Sequence, residues 1–416
     1  MKRKMKDSGV EWIGEIPEDW EVSKIKHLTE CLDGRRIPID RNLRNDGIYP
    51  YWGAGSIQGY VDDYIFDEEI VLLGEDGAPF FDKSRDIAFL INEKVWVNNH
   101  IHVLKGISIE NKYLVYFLNI VDYTEYVNGS ILHKLTQSNM KNISIVSPSL
   151  NEQRKIIELL DKKMIKSEDI KQNLLKEIQT LEDYKKSVIT ETVTKGLDKN
   201  VEMKDSGIEW IGEIPKHWIK AKVKHACSIV GSGTTPRSNN LNFYSDEGVF
   251  WIQSGDLYKN SNIINTEKKV SELALKTYSV LKLYESPFLV MAMYGASVGN
   301  LSISHLNAAT NQACCVMKPN KNANLMFLYY WLLFVKDDLL NKAEGGSQPN
   351  ISQAKIQNEL MYFPPVIEQE QIANYLDKKI KTTDATIATK QKRLEILEEY
   401  KKSLIYEYVT GKKEVK

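Results

Sequence analysis

Apolar residues recur at alternating three- and four-residue intervals in two long segments, from about Leu150 to Gly196 and from about Ile367 to Gly411. Neither segment contains proline or glycine in its interior. This spacing places the apolar positions on one narrow stripe of an α-helix and leaves most of its girth polar. Such a stripe is typical of a helix that pairs with another helix. We therefore expect two long helices that contact each other through seven residues: Leu174, Ile178, Leu181, Val188, Leu394, Leu397 and Leu404.

The length of these helices favours pairing over the alternative, in which each is an ordinary long helix of its own domain. About 45 residues at about 1.5 Å rise give a rod of roughly 65–70 Å. A rod of that length with a mostly polar surface needs a partner to persist in water.

The two helical segments are copies of each other. LEDYKKSVITETVTKG from Leu181 returns as LEEYKKSLIYEYVTGK from Leu397, at an offset of 216 residues. A second pair lies upstream, where MKDSGVEWIGEIPEDW from Met5 returns as MKDSGIEWIGEIPKHW from Met203 with 13 of 16 positions identical. Self-similarity of this kind indicates two tandem units, each a globular part followed by a long helix.

The globular parts contain short apolar runs typical of strands, bounded by Gly, Asn and Asp. The runs are residues 69–74, 87–91 and 100–104 in the first half, and residues 288–293 and 314–317 in the second. Short helices are expected at 111–121 and 326–335. Helices gather late in each part, which favours an α+β fold with two globular α/β domains. We expect a first domain at 1–147, a long helix and linker at 148–202, a second domain at 203–364 and a second long helix at 365–416.

Polar loops near the end of each globular part suit contact with nucleic acid. GSILHKLTQSNMKNISIVSP from Gly129 and GGSQPNISQAKIQNELMYFP from Gly345 each combine a glycine turn, a polar loop and a Thr- or Ser-capped helical turn. Gln, Asn, Ser, Thr and Lys are residues that bond base edges and phosphates. The other interpretation is a solvated loop that caps a structural helix.

Composition is that of a globular protein, with 42% hydrophobic and 27% charged residues and a net charge of −1. Residues 1–147 hold 17 Lys and Arg against 23 Asp and Glu, and residues 203–364 hold 16 against 13. Neither part has the basic excess of a freestanding DNA binder, so any contact with DNA needs a local basic face. The apolar runs are too short to predict a membrane span. Four cysteines without metal spacing predict reduced thiols and a cytoplasmic protein: Cys31, Cys227, Cys314 and Cys315.

Motifs of enzymatic chemistry are missing from the sequence. There is no Walker A sequence, no G-x-G-x-x-G opening a βαβ unit and no Asn/Asp-Pro-Pro-aromatic run of a base methyltransferase. His100 and His102 share one face of a predicted strand, but no neighbour in sequence completes a metal set, so we interpret them as structural. We expect no catalytic residue and no metal site.

Four motifs resemble the specificity subunit of type I restriction–modification systems. They are the frame WIGEIPxxW, the loop GSGTTPRS, the segment GSQPNISQAKI and the helix LEEYKKSLIYEYVTG. The resemblance spans nearly the whole chain in both halves. It implies a non-catalytic DNA-recognition subunit with two target-recognition domains, each followed by one long helix. It also implies that the helices pair as an antiparallel coiled coil and that a pseudo-twofold axis relates the halves.

The resemblance further implies partners and cofactors. Each recognition domain would read one part of a split double-stranded DNA site, and the paired helices would dock two methyltransferase subunits that bring S-adenosylmethionine. Motor-nuclease subunits, which use ATP and Mg²⁺, would join through them to form a restriction endonuclease and adenine DNA methyltransferase. No cofactor and no membrane contact are expected for this chain itself.

The resemblance places DNA contacts on the polar loop after the first strand of each domain, on the pre-helix loops and on nearby aromatic residues. In the first half these are Arg35, Arg36, Tyr51, Trp52, Tyr60, Ser130, His133, Lys134, Thr136, Gln137 and Asn139. In the second half they are Thr234, Thr235, Arg237, Ser238, Asn239, Asn240, Tyr294, Ser297, Ser347, Gln348, Asn350, Ser352, Gln353 and Lys355.

The first half departs from the family pattern, because Arg35 and Arg36 stand where residues 233–236 show a Gly-x-Thr-Pro form. We therefore expect the halves to read different DNA words. Three alternatives remain: a specificity subunit of a system that only methylates, a coiled-coil scaffold without a DNA role, and a cryptic nuclease or methyltransferase.

Overall fold

The structure is a computed structural model that describes residues 3–82, 84–129, 133–258, 262–343 and 350–415. The chain forms two compact units. Unit 1 comprises Met1–Lys176 and Thr389–Lys416, and unit 2 comprises Glu177–Ala388. Each unit therefore combines one globular part with a segment of each long helix. The domains predicted from sequence, by contrast, follow one another along the chain.

Unit 1 contains mostly short strands, and its helices other than the long ones have eight residues or fewer. The strands are β1 Met5–Asp7, β2 Glu15–Pro17, β3 Glu21–Lys24, β4 Thr29–Cys31, β5 Tyr49–Trp52, β6 Ile57–Val61, β7 Ile70–Gly74, β8 Ala88–Ile91, β9 Trp96–Val97, β10 Ile101–Gly106, β11 Val127–Asn128, β12 Lys134–Leu135 and β13 Ser144–Ser147. The helices that begin in this unit are α1 Ile25–Leu28, α2 Asn111–Leu118, α3 Gln137–Lys141 and the long α4 Leu150–Lys195.

The central sheet of unit 1 has the order β4-β10-β7-β8 and is antiparallel throughout. A three-stranded sheet has the order β6-β5-β9, and β3 pairs with β13. Every residue of β7 is buried, because one face meets α2 and the other meets the smaller sheet. This position explains why β7 is a continuous apolar run and lacks the alternation of a strand with one wet face.

Unit 2 repeats this plan with more residues in its middle. Its strands are β14 Met203–Asp205, β15 Glu213–Pro215, β16 Ile219–Lys222, β17 Cys227–Gly231, β18 Tyr244–Ile252, β19 Asn262–Ile263, β20 Lys268–Val270, β21 Phe288–Ala292, β22 Leu301–Ser304, β23 Ala308–Thr310, β24 Cys314–Pro319 and β25 Leu360–Phe363. Its helices are α5 Val223–Ala226, α6 Glu272–Thr277, α7 Leu325–Phe334, α8 Lys336–Asn341, α9 Gln353–Asn358 and the long α10 Val366–Val409. The main sheet has the order β17-β24-β21-β22-β19, beside a β20-β18-β23 sheet.

The two long helices run antiparallel within each unit. In unit 1, Lys171 Nζ of α4 lies 3.0 Å from Glu398 Oε1 of α10, and Ile156, earlier in α4, shares the core with Val409, later in α10. The same order holds in unit 2. There Lys185 Nζ lies 2.5 Å from Asp384 Oδ1, and the later part of α4 shares the core with the earlier part of α10. The predicted antiparallel pairing of two long helices is confirmed.

None of the seven residues predicted to form the seam between the helices is fully exposed to solvent. Leu174 and Leu404 are buried, and the others are half-buried: Ile178, Leu181, Val188, Leu394 and Leu397. Their individual contacts across the seam stay a prediction. Both helices end where the sequence indicated, because Gly196 and Gly411 adopt φ of 71° and 73°, which favours glycine over other residues.

Most predicted strands and short helices are present within two or three residues of their expected bounds. The run at 69–74 forms β7, the run at 100–104 forms β10, and the run at 314–317 forms β24. The predicted α+β class with two globular parts is confirmed. The predicted domain boundaries stay a prediction.

Candidate nucleic-acid interface

Each unit has a short turn that leads into a one-turn helix, residues 133–139 in unit 1 and residues 350–355 in unit 2. We refer to these as the pre-helix turns. Thr136 caps α3, since its side chain accepts the N–H of the third residue after it over 3.2 Å. Ser352 caps α9 in the same way over 3.3 Å. A capping hydroxyl satisfies a backbone N–H that the helix leaves open, so both turns hold one local geometry.

The two pre-helix turns are also fixed by the same backbone hydrogen bond. In unit 1 the N–H of Leu135 donates to Glu75 O over 2.9 Å, and in unit 2 the N–H of Ile351 donates to Met293 O over 2.7 Å. Leu135 and Ile351 are fully buried. A buried apolar residue and a buried backbone bond therefore place the polar residues that follow at the surface of each unit.

Lys134, Gln137 and Ser138 are the exposed members of the pre-helix turn in unit 1. Lys134 Nζ lies 3.0 Å from Asp76 Oδ1 and remains about half exposed. The Gln137 side-chain amide donates to Asp33 Oδ2 over 3.0 Å, and its oxygen accepts from Lys141 Nζ over 2.9 Å. The Lys134 and Gln137 side chains can therefore meet a ligand while held by neighbours.

Asn139 and His133 face their own unit. Asn139 Nδ2 donates to Tyr126 O over 2.7 Å, and His133 Nδ1 lies 3.1 Å from Gly129 O. The Asn139 amide thus ties the turn to the segment before it. Ser130, which was predicted beside them, lies outside the described residues.

Four titratable side chains form a cluster beneath the pre-helix turn of unit 1: Asp33, Arg36, Glu75 and His102. Arg36 donates to Glu75 Oε2 over 2.7 Å and lies 3.4 Å from Asp33 Oδ2. His102 Nδ1 lies 2.7 Å from Asp33 Oδ2, and its Nε2 lies 2.8 Å from Leu135 O. Arg36, predicted to contact DNA, is bound within this cluster and mostly buried. His102 is buried with two carboxylates beside it, which the sequence interpretation did not foresee, and its structural role stays a prediction.

The Asp33 carboxyl is the centre of this cluster. Burial alone would raise its pKa, but hydrogen bonds from His102, Gln137 and the Val103 N–H lower that pKa to about 2. Asp33, Glu75 and His102 are the one group with metal-ligand spacing within the described residues. The Arg36 guanidinium already pairs with both carboxylates, so a divalent cation would have to displace it.

The pre-helix turn of unit 2 exposes Asn350 and Ser352, while Gln353 is half-buried. Lys355 Nζ donates to Lys342 O over 2.6 Å. Tyr294 is half-buried and forms a bridge with Asn350, whereas Ser297 is buried. Ser347 and Gln348 lie outside the described residues.

The loop after the first strand of the main sheet differs between the units. Arg35 bonds Glu68 Oε1 over 2.6 Å and lies over the ring of Phe66, so it is held on its own unit. In unit 2, Thr235 donates to Gln312 Oε1 over 2.6 Å, while the Arg237 side chain is exposed. The remaining predicted members of this loop are exposed or half-buried: Thr234, Ser238, Asn239 and Asn240.

Two of the three aromatic residues predicted in unit 1 belong to its interior. Tyr51 is 1% exposed and Trp52 is 8% exposed. The Tyr51 hydroxyl accepts the N–H of Ile39 over 3.1 Å. Tyr60 is 54% exposed and remains available at the surface. Tyr51 and Trp52 therefore pack the unit and do not reach a ligand from this position, which corrects their interpretation as surface contacts.

Within the described residues, no helix combines the length and the apolar character that a membrane crossing requires.

A family model described as the type I restriction modification DNA specificity domain matches residues 17–180 and 215–396.

Several known proteins resemble this chain over most of its length. The putative type I restriction enzyme MjaX specificity subunit of Methanocaldococcus jannaschii is 26% identical, over 97% of this chain and 96% of that protein. The putative type I restriction enzyme specificity subunit S.HindORF215P of Haemophilus influenzae is 24% identical, over 91% and 89%.

Two solved structures share the fold at 15% identity. One, described as the structural basis of complex assembly and conformational transition of the type I R-M system, has a TM-score of 0.72 over 95% of this chain and 99% of that one. The HsdS subunit from Thermoanaerobacter tengcongensis has a TM-score of 0.51 over 95% and 98%.

Proposed function

This chain belongs to the family of type I restriction–modification DNA specificity subunits, and we propose that its two units read the two parts of a split DNA site. The observation that carries this proposal is the pair of pre-helix turns. They share a cap and a backbone anchor, yet Lys134 and Asn139 stand in one where Asn350 and Lys355 stand in the other. A common scaffold with different polar side chains suits two readers of different words.

Local positive charge supports DNA contact at the pre-helix turn of unit 1 and at the loop after the first strand of the main sheet in unit 2. Lys134 and Arg237 are exposed cations beside other hydrogen-bonding side chains. The net charge of the first globular part is negative, so neutralisation of phosphates would come in part from partner subunits. Phosphate contacts would set the register, and amide side chains would read base edges.

We propose that the long helices dock methyltransferase subunits, and the exposed apolar residues on them support this. Large apolar side chains in water mark sites of interaction when they recur on one element. Tyr184 of α4 is 43% exposed and Tyr400 of α10 is 50% exposed, and they occupy the same position of the repeat. Other exposed apolar residues of these helices are Leu150, Ile165, Ile170, Leu175, Ile367, Tyr375 and Ile396.

A hollow beside the long helix occurs in both units, at residues that the repeat makes equivalent. In unit 1, a cavity of about 500 Å³ includes Lys402, Ser403 and Tyr406 in its lining. In unit 2, a shallower hollow includes Lys186, Ser187 and other residues of the same copy. Two equivalent surfaces favour two copies of one partner.

The chemistry of the assembly would reside in these partners. We propose that the methyltransferase subunits bring S-adenosylmethionine, and that motor-nuclease subunits bring ATP and Mg²⁺. A cytoplasmic location agrees with access to chromosomal DNA. A system that only methylates would use this chain in the same way, without the nuclease.

Methylome sequencing of cells that express this chain with its methyltransferase partner tests the proposal. The wild type should methylate a bipartite motif, Gln137→Ala should relax one part only, and Gln353→Ala should relax the other part only. Equal loss at both parts in each variant would overturn the division of labour. No sequence-specific methylation by the wild type, together with no DNA footprint, would favour a scaffold. Methyl transfer by the isolated chain would favour an enzyme.

A further inference from the structure

The pre-helix turn of unit 1 rests on buried charges, whereas that of unit 2 rests on apolar side chains. The two sites are equivalent, because Glu75 O and Met293 O accept the same backbone bond. Behind the turn, His102 of β10 is paired with Leu73 of β7, and the matching pair in unit 2 is Cys315 of β24 with Met291 of β21. Charged side chains are costly to bury, so their presence at positions whose described counterparts in unit 2 are Met291, Met293 and Cys315 calls for a local reason.

Both ring nitrogens of His102 lie against oxygen acceptors. Nδ1 is 2.7 Å from Asp33 Oδ2, and Nε2 is 2.8 Å from Leu135 O. These two contacts fix the position and plane of the imidazole ring between Asp33 and the pre-helix turn. The charged groups that face the ring are Asp33, Glu75 at 3.6 Å and, through these carboxylates, Arg36. The Arg36 guanidinium pairs with both carboxylates.

The cluster reaches the exposed side chain of Gln137. Asp33 Oδ2 accepts both from His102 and from the Gln137 amide, and its other oxygen accepts the Val103 N–H over 2.8 Å. Lys141 Nζ occupies one acceptor position on the Gln137 oxygen. Within the described part of unit 2, the side chain of Gln353 makes no such hydrogen bond. The Gln137 amide is therefore fixed in orientation before any ligand arrives.

A glutamine side chain has two N–H donors and two acceptor positions. With Asp33 and Lys141 each occupying one, Gln137 retains one donor and one acceptor position. This pair complements the N7 acceptor and N6 donor that adenine presents in the major groove. Fixing the side chain in advance also reduces the entropy lost on binding.

We propose that Asp33 and His102 are positioning residues that orient Gln137 to read the adenine of one A·T pair in the DNA word of unit 1. This inference rests on the proposed function, in which each unit reads one DNA word, and it specifies one base that unit 1 recognises. Arg36 and Glu75 serve the same arrangement by balancing its charge.

Binding of duplexes by the full chain with its methyltransferase partner tests this proposal, once methylome sequencing has defined the wild-type site. Each position of the unit 1 word is substituted in turn, and selectivity is the ratio of the affinities for the original and substituted duplexes. Gln137→Ala should lower selectivity about ten- to a hundredfold at one A·T position. His102→Gln and Asp33→Asn should lower it at the same position and leave the unit 2 word unchanged.

The double variant separates positioning from general support of the fold. If His102 acts through Gln137, adding His102→Gln to Gln137→Ala causes no further loss at that position, because the two effects are coupled. Cys315→Ser is the matched control and should leave the unit 1 word unaltered. A uniform loss across the unit 1 word, an effect at a different position from that of Gln137, or additive losses would overturn the proposal.

These experiments also distinguish a failure of this inference from a failure of the proposed function, the reading of a split DNA site by the two units. A wild-type complex without a bipartite site contradicts the proposed function. A wild-type bipartite site whose selectivity is unaffected by His102→Gln, in protein that unfolds at the wild-type temperature, contradicts only the role of His102 and Asp33. The unfolding temperature is measured for Asp33→Asn as well, because this variant removes a carboxylate that stabilises unit 1.

Discussion

The indole nitrogen of Trp20 donates to Glu152 Oε2 over 3.1 Å, and this bond ties the front of unit 1 to the first turn of α4. Unit 2 repeats the bond between Trp218 and Glu368 Oε1, also over 3.1 Å. Both tryptophans are 1% exposed. The near-identity of the two front segments follows from this geometry, because each must place a buried indole against the glutamate of a copied helix.

Replacement of Glu152 by alanine should destabilise unit 1. The Trp20 N–H would lose its acceptor inside the unit, and a buried unsatisfied donor costs about 1–3 kcal/mol. Urea unfolding followed by hydrogen exchange of unit 1 amides measures the change in the free energy of unfolding. Glu158→Ala is the matched control on the same helix, since Glu158 is exposed and pairs with Lys162. That variant should stay within about 0.5 kcal/mol of wild type, and equal losses would contradict the role of the bond.

Acid should weaken unit 1 through Asp33. The pKa of this carboxyl is lowered from 3.8 to about 2 in the folded protein. A group whose folded pKa is lowered stabilises the fold fully above its unfolded pKa, and this contribution is lost as pH falls towards the folded value. We expect about 2 kcal/mol to be lost between about pH 4 and pH 2. Asp33→Asn should flatten this part of the profile of unfolding free energy against pH. Superimposable profiles would exclude Asp33 as the cause.

Lys134 should contribute affinity without sequence preference. Its ammonium is exposed beside Asp76, where it can also meet a phosphate. Lys134→Ala should weaken binding to specific and nonspecific duplexes alike and lower the slope of log affinity against log salt by about 1. Fluorescence titrations of the complex at several salt concentrations provide the measurement. Lys276→Ala, which removes an exposed lysine of α6, should leave the slope unchanged. A selective loss at one base position would instead make Lys134 a base reader.

Tyr184 and Tyr400 should each support one copy of the docked partner. Truncation of a large aromatic residue in an interface costs about 1–2 kcal/mol or more. Either single alanine variant should therefore lose one methyltransferase copy at low concentration, and the double variant should lose both, as measured by native mass spectrometry. Ile264→Ala removes an exposed apolar residue of the second globular part, which is 73% exposed, and should retain both copies. Full occupancy of the double variant would place the docking surface elsewhere.

Sequence patterns predicted the long helices well because their signal is local and repeated. The apolar stripe and the glycine after each helix act within a few residues of the feature that they define. So does Ser149, which together with Glu152 three residues later fits a capping box at the start of α4. The Glu152 N–H does donate towards Ser149 Oγ, over 3.3 Å. The Glu152 side chain, however, binds Trp20 rather than completing a capping box, because a tertiary donor outcompetes the local one.

The cluster beneath Gln137 could not be predicted in the same way. Asp33, Glu75 and His102 are far apart in sequence and meet only because β4, β10 and β7 are neighbours in one sheet. The sequence does show each of these polar residues inside or just after an apolar strand. This signal predicts a cluster only when the order of the strands in the sheet is known. Tyr51 and Trp52 were misassigned for a related reason, since an aromatic residue suits a core and a base-stacking surface equally well.

The completion of unit 1 by residues 389–416 has a consequence for how the protein is made. Leu404 and Val409 belong to the core of unit 1, and the Tyr113 hydroxyl donates to Val409 O over 2.8 Å. A nascent chain therefore has all of unit 2 outside the ribosome before the first unit can close. Premature termination near residue 390 would damage the recognition domain that was translated first, and leave the later one with every segment of its core.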